Sequence, residues 1–106
     1  MILHKYVILL IILVSFSSLS KEHVVEIYKK KFIPAQISIK AGDTVIWKNI
    51  EKRQYHNVWF KQFLKEEPDY VFPGETYQYT FNKQGEFPYL CGPHPRMTGL
   101  VIVSKK

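Results

Sequence analysis

A chain of 106 residues, 46% hydrophobic and 23% charged, has enough apolar material for one modest core and too little length for several domains. Its single cysteine excludes an internal disulfide and the cysteine-rich kind of structural zinc site. The formal charge of +6 speaks for a solvated basic surface or for steering toward an acidic partner, and with no DNA- or RNA-binding motif present, nucleic acid is a poor fit.

The chain opens with the positively charged Met1-Ile2-Leu3-His4-Lys5-Tyr6, continues with an apolar run from Val7 to Val14, and then reads Ser15-Phe16-Ser17-Ser18-Leu19-Ser20. This order predicts a secretory signal peptide, with the small residues Ser18 and Ser20 at the −3 and −1 positions of a cut after Ser20. A bilayer needs about 20 apolar residues, so the run is too short for a comfortable anchor, and no stable membrane insertion is expected after cleavage. Residues 1–20 are therefore read as the signal and 21–106 as one exported, periplasmic domain, expected to be a monomer. Loss of Lys5 lowers the charge from +6 to +5. A free thiol in an oxidising compartment would be vulnerable unless something binds it. A chain beginning Lys21-Glu22-His23 puts a histidine third from a free amine. That pattern suits square-planar Cu(II); alternatively, His23 simply opens the first strand.

Short runs of β-branched and aromatic residues between turn signals predict strands over most of the chain beyond residue 22. The first is His23 to Tyr28. Gln36 to Lys40 alternates apolar and polar, as a half-buried strand does, and Ala41-Gly42-Asp43 is a turn. Thr44 to Lys48 comes next, with Val45 and Trp47 on one face. Asn49 to Gln54 is a charged loop. Val58 to Phe60 reads as a short strand, and Lys61 to Asp69 as an irregular polar stretch with room for a brief helix. After the turn Pro73-Gly74-Glu75, Thr76 to Phe81 places Tyr77, Tyr79 and Phe81 on one face. Glu86 to Cys91 and Gly99 to Val103 complete the set. This pattern predicts an all-β sandwich. Trp47, Phe81 and Phe87 are the expected core aromatics. Trp59 has two open places, the core or a position under a metal.

The chemistry concentrates in Cys91-Gly92-Pro93-His94-Pro95-Arg96-Met97 and in His56 upstream. Cys-x-x-His-x-x-Met lets one tight turn present three side chains to one point. Gly92 relieves crowding there, while Pro93 and Pro95 stiffen the loop and remove two backbone donors that would otherwise compete for the sulfur. Two imidazoles, a thiolate and a thioether are the ligand set of a mononuclear blue-copper site, so His56, Cys91, His94 and Met97 are the candidate metal ligands and one type 1 copper ion the expected cofactor. One cysteine excludes a two-cysteine dinuclear copper centre. A Cys91–His56 nucleophilic pair is the enzymatic alternative, but no orienting acid or oxyanion motif accompanies it.

These residues resemble those of the cupredoxins. The Cys-x-x-His-x-x-Met spacing is similar to the short ligand loop of the amicyanins, and His56-Asn57-Val58 to the first-histidine segment of the plastocyanin group. Phe32 to Ala35 and Ile37 to Asn49 look like the family's early strands. The resemblance implies a cupredoxin-like Greek-key β-sandwich in which His56 meets the Cys91 loop at one end. It implies that Asn57 ties the two loops together and that His94 reaches solvent through an apolar patch to which Gly42, Pro34, Pro73, Pro93, Pro95 and Met97 contribute. It also implies a soluble carrier of single electrons through the Cu(I)/Cu(II) couple, meeting redox partner proteins, acidic ones among them, at the His94 end, with Arg96 beside it. A copper-binding role in storage, delivery or tolerance is the other reading. A domain of a nitrite reductase or multicopper oxidase would need a second copper site and further domains.

Overall fold

The computed structural model describes residues 19–106; the expected signal segment lies, apart from Leu19 and Ser20, outside the described residues. Seven strands form: β1 Glu22–Tyr28, β2 Lys31–Ile33, β3 Gln36–Lys40, β4 Thr44–Asn49, β5 Thr76–Thr80, β6 Gly85–Leu90 and β7 Thr98–Ser104. They make two sheets, ordered β2-β1-β4-β5 and β3-β7-β6. β1 runs parallel to β4 and β3 parallel to β7, while the β1–β2, β4–β5 and β6–β7 pairs are antiparallel. The chain therefore crosses to the second sheet after β2, returns after β3 and crosses again after β5. The expected all-β sandwich is present.

Alternation is what places the core. In β1, Val25 and Ile27 are buried and Val24 and Glu26 exposed; in β4, Val45, Trp47 and Asn49 point inward. Trp47 is the hub. It meets Tyr89 at 5.3 Å and Phe60 at 5.9 Å between ring centroids, both close to edge-on, the arrangement aromatic quadrupoles favour. Phe81 is 2% exposed, as expected of a core residue. Phe87 is not: it is half-buried at the margin, stacked between exposed Phe63 and Phe81. Tyr89 takes the buried place on β6 instead. Its ring folds across Gly99, its partner on β7, in the space where a side chain at position 99 would stand. The Tyr89 hydroxyl and the Trp47 indole N–H lie beside one another without a well-formed hydrogen bond, and burial pushes the phenol up to about 12.

Three further expectations change. β2, whose Phe32 and Ile33 lie in the stretch that resembles an early family strand, begins within the charge run Lys29-Lys30-Lys31, which carries no strand pattern of its own. Lys29 and Lys30 have φ of 50° and 57°, the left-handed pair of a two-residue hairpin that lets Lys31 fold back against Tyr28. Val58 to Phe60 shrinks to a single bridge between Trp59 and Leu90. Lys61 to Asp69 forms turns rather than a helix, started by the Phe63 and Leu64 amides on the Phe60 carbonyl at 2.9 and 2.8 Å.

At the end where β1 and β4 begin, Asp43 accepts hydrogen bonds from the Lys21 amide at 3.0 Å and the Lys40 amide at 3.1 Å, and pairs with His23 Nε2 at 2.9 Å. The Lys21 amide foremost, then His23, holds its carboxyl down at about 2 against an ordinary 3.8. Because the folded value is depressed, this stabilisation is complete above about pH 4 and disappears as pH falls toward 2. Asp43→Asn should flatten the stability profile across that window in acid titrations followed by circular dichroism. Gly99→Ala should cost about 1–3 kcal/mol in urea unfolding, since the added methyl must displace the Tyr89 ring.

Candidate metal centre

The turn after β6 is closed by its own backbone. The Cys91 amide donates to the Met97 carbonyl at 2.9 Å, the His94 amide to the Cys91 carbonyl at 3.1 Å, and the Met97 amide to the His94 carbonyl at 2.8 Å. Those bonds set Cys91, His94 and Met97 around one point. His56 arrives from the first sheet on the loop after β4. Its backbone exchanges two hydrogen bonds with Val71, at 3.2 and 2.6 Å. Asn49, wholly buried, shapes that loop: Nδ2 donates to the Gln54 and Val71 carbonyls, each at 2.9 Å, and Oδ1 accepts from the Glu51 amide at 2.9 Å.

The result brings His56 Nδ1 to 3.7 Å and His94 Nδ1 to 3.5 Å from Cys91 Sγ, with the three donor atoms all within 4.8 Å of one another. Bonds of about 2.1 Å to nitrogen and about 2.3 Å to sulfur, typical of a divalent first-row ion, give nitrogen–sulfur separations of about 3.5–3.8 Å at angles between trigonal and tetrahedral. The site therefore fits one metal bound by two Nδ1 atoms and a sulfur. Met97, 4% exposed, lies in the same turn.

Burial acts oppositely on the two buried ligands, favouring the ligating form of His56 and disfavouring the thiolate of Cys91. Burial, and then the nearby His94, lowers the His56 pKa and keeps the ring neutral, the form that ligates. Burial pushes the Cys91 thiol up, and the Glu67 carboxylate adds to this. The backbone amides of Asn57 and His94, the donors the prolines leave near the sulfur, pull the other way. His56 Nε2 faces Glu51 Oε1 at 3.6 Å, a carboxylate behind a ligating imidazole.

Asn57 joins the two loops as expected. Its Oδ1 accepts from the Gly92 amide at 2.6 Å, and its Nδ2 donates to Glu67 Oε1 at 2.9 Å and to the Pro68 carbonyl at 3.3 Å. A Cβ at Gly92 would displace the Glu67 carboxylate from the place where Asn57 holds it.

The chain matches the description "copper binding proteins, plastocyanin/azurin family" over residues 20–104. It belongs to that family. An amicyanin from Paracoccus versutus is 44% identical, over 76% of this chain and 63% of the relative. Amicyanin-alpha from Methylorubrum extorquens is 42% identical, over 74% of this chain and 69% of the relative. The chain thus spans somewhat under two thirds of the first relative's length. The crystal structure of the Paracoccus versutus amicyanin superimposes with a TM-score of 0.73 at 39% identity, covering 78% of this chain and 81% of that one. A copper-containing nitrite reductase from Thermus scotoductus superimposes with a TM-score of 0.72 at 26% identity, but only 23% of that chain is covered. In this cupredoxin His56, Cys91, His94 and Met97 stand positioned for a single type 1 copper ion.

Several sequence-derived placements need correction. Of the expected apolar patch, Pro95 and Met97 line a hollow beside His94, but Gly42 lies at the opposite end of the sandwich, bonded to the Phe81 carbonyl and near Lys106. The exposed apolar side chains next to His56 are Tyr55, Tyr70 and Phe72, with Tyr55 and Tyr70 4.7 Å apart. Trp59 is in neither expected place: it is half-buried, its indole donates to the Leu64 carbonyl at 3.1 Å, and Lys61 lies over its ring. His23 pairs with Asp43 and lies within the β1–β4 ladder, the strand-opening place that is the alternative to a copper site at Lys21–His23. Glu51, Glu67 and Asn49 escape sequence reasoning altogether, since no local pattern links them to the ligands.

Asn57→Ala should destabilise the metal-free protein by about 1–3 kcal/mol, because it leaves the Gly92 amide unsatisfied in a partly buried place. Urea unfolding of the two forms checks this.

Proposed function

We propose that this chain is a small, exported carrier of single electrons, cycling one copper between Cu(I) and Cu(II), with His56, Cys91, His94 and Met97 as its ligands. The observation that carries the reading is the convergence of His56 Nδ1, Cys91 Sγ and His94 Nδ1 within 4.8 Å on two loops cross-tied by Asn57. Copper bound there would supply a one-electron couple. The protein's part is to hold the donors still. Cys91 would bind as thiolate and the two imidazoles in their neutral form, and Met97 would add a weak thioether donor that tunes the potential. Asn57 holds the Cys91 turn through the Gly92 amide, and the Glu51 carboxylate stands 3.6 Å behind His56 Nε2.

Exposure divides the ligand roles. His56 and Cys91 are wholly buried and Met97 nearly so, whereas His94 is half-buried. The His94 ring therefore offers the ligand edge that a partner can approach. Burial of the others keeps water and competing chelators from the site, which favours a resident metal over copper storage or delivery. Amicyanins and plastocyanins are small blue-copper electron carriers, and this supports a carrier rather than an enzyme. The nitrite reductase shares one domain's worth of structure with this chain. A periplasmic location is the reading that the leader-like residues 1–20 support. Among the described residues no helix is long and apolar enough to cross a membrane.

The copper-loaded protein should show an intense visible band, and Cys91→Ser should abolish it, because a hydroxyl is a poor soft donor. Voltammetry should place Met97→Gln below and Met97→Leu above the parent potential. A Cys91→Ser protein that keeps its colour, or one potential for all three Met97 forms, would remove those residues from the site.

A further inference from the structure

The hollow beside His94 is lined by Lys30, His94, Pro95, Arg96 and Met97. Its two cations come from unrelated parts of the chain. Arg96 sits inside the ligand turn. Lys30 is the second residue of the β1–β2 hairpin turn, with φ of 57°, and its amide is tethered to Glu51 Oε1 at 3.3 Å. The hairpin thus leans against the loop that carries His56. Among the described residues neither Lys30 nor Arg96 forms an ion pair. Neither carboxylate nearest the ligands lines the hollow: Glu51 Oε1 lies between the Lys30 amide and His56 Nε2, and Glu67 is held by Asn57 over Gly92. Among the described residues no acidic side chain lines the hollow.

Two unpaired cations therefore flank the half-exposed ligand edge. We propose that the Lys30–Arg96 hollow is an electrostatic docking site for a redox partner protein, and that it seats a carboxylate of the partner's face beside the His94 ring. This rests on the carrier reading and adds what the partner must bring: a local negative charge at its own electron port. Lys30 and Arg96 are binding residues here; neither alters the donor set. Their charges raise the encounter rate of an anion at His94 and repel a cation. An overall positive charge would act on any approach direction, whereas this pair acts at one face.

Small redox probes test the site without a partner in hand. Hexacyanoferrate(II) gives one electron to the oxidised, copper-loaded protein and becomes hexacyanoferrate(III); a cationic cobalt(II) phenanthroline complex does the same with the opposite charge. Lys30→Asn keeps a residue that tolerates positive φ, and Arg96→Gln keeps the chain length. Each should slow reduction by hexacyanoferrate(II) by about 3- to 10-fold at low salt, speed reduction by the cobalt complex and flatten the dependence on ionic strength. Lys106→Gln, which removes the same charge at the far end near Gly42, should leave both rates within about 2-fold. The visible band of each variant reports an intact site, and Lys30→Glu serves as a second variant at that position. A coloured protein in which the Lys30, Arg96 and Lys106 variants all slow alike overturns the hollow in favour of net charge, and one in which none of them slows overturns it outright. A copper-loaded parent without the band overturns the carrier reading, and the inference with it.

Discussion

The structure depends on holding two loops together that are 35 positions apart in sequence. His56 and Cys91 belong to opposite sheets, and their donor atoms must share one point to within a fraction of an ångström. The side chain of Asn57 makes that join. It accepts from the Gly92 amide on one side and donates to Glu67 and Pro68 on the other, and it is wholly buried. Asn49 does the same one layer deeper, with all of its hydrogen-bonding groups used on the loop that leads to His56. Buried amides satisfied this fully are rigid, because every alternative rotamer strands a donor or an acceptor away from water.

Rigidity at the site is continuous with rigidity in the core. β6 carries Tyr89 two residues before Cys91, and Tyr89 is packed edge-on against Trp47, against Phe32 at 4.7 Å and over Gly99. Trp47 lies two residues before Asn49 on β4, so one aromatic cluster anchors the strands that deliver both halves of the metal site. Dense packing resists small displacements. In a site that held copper in two oxidation states, such packing would limit how far the ligands shift when the charge changes.

Charge is sorted by direction at the same end. Glu51, half-buried, stands behind His56, and exposed Glu67 is held by Asn57 over Gly92. Lys30 and Arg96 line the outer hollow with His94. The fold achieves this separation by turning the β1–β2 hairpin toward the ligand loop. The left-handed turn at Lys29 and Lys30 permits that hairpin although neither residue is a glycine.

The amino-acid sequence by itself determined what depends on near neighbours. Cys91, His94 and Met97 converge because one turn's backbone bonds set their directions, so their spacing is enough to read them as a ligand set. Period-two spacing set Val45 and Trp47 on one face of β4, for the reason that successive side chains of a strand point to opposite sides. The tertiary structure decided whatever needed chains from elsewhere. Phe87 and Tyr89 share a face and a chemistry, and only the position of Gly99 on β7 makes Tyr89 the buried one. Val58 to Phe60 has the composition of a strand but pairs at one residue only, Trp59, which exchanges two hydrogen bonds with Leu90. Gly42 went to the far end, and His23 to Asp43, because β1 runs parallel to β4. Glu51, Glu67 and Lys30 acquired their roles when the loops folded over one another, and a contact made by chain crossing leaves no periodicity to read.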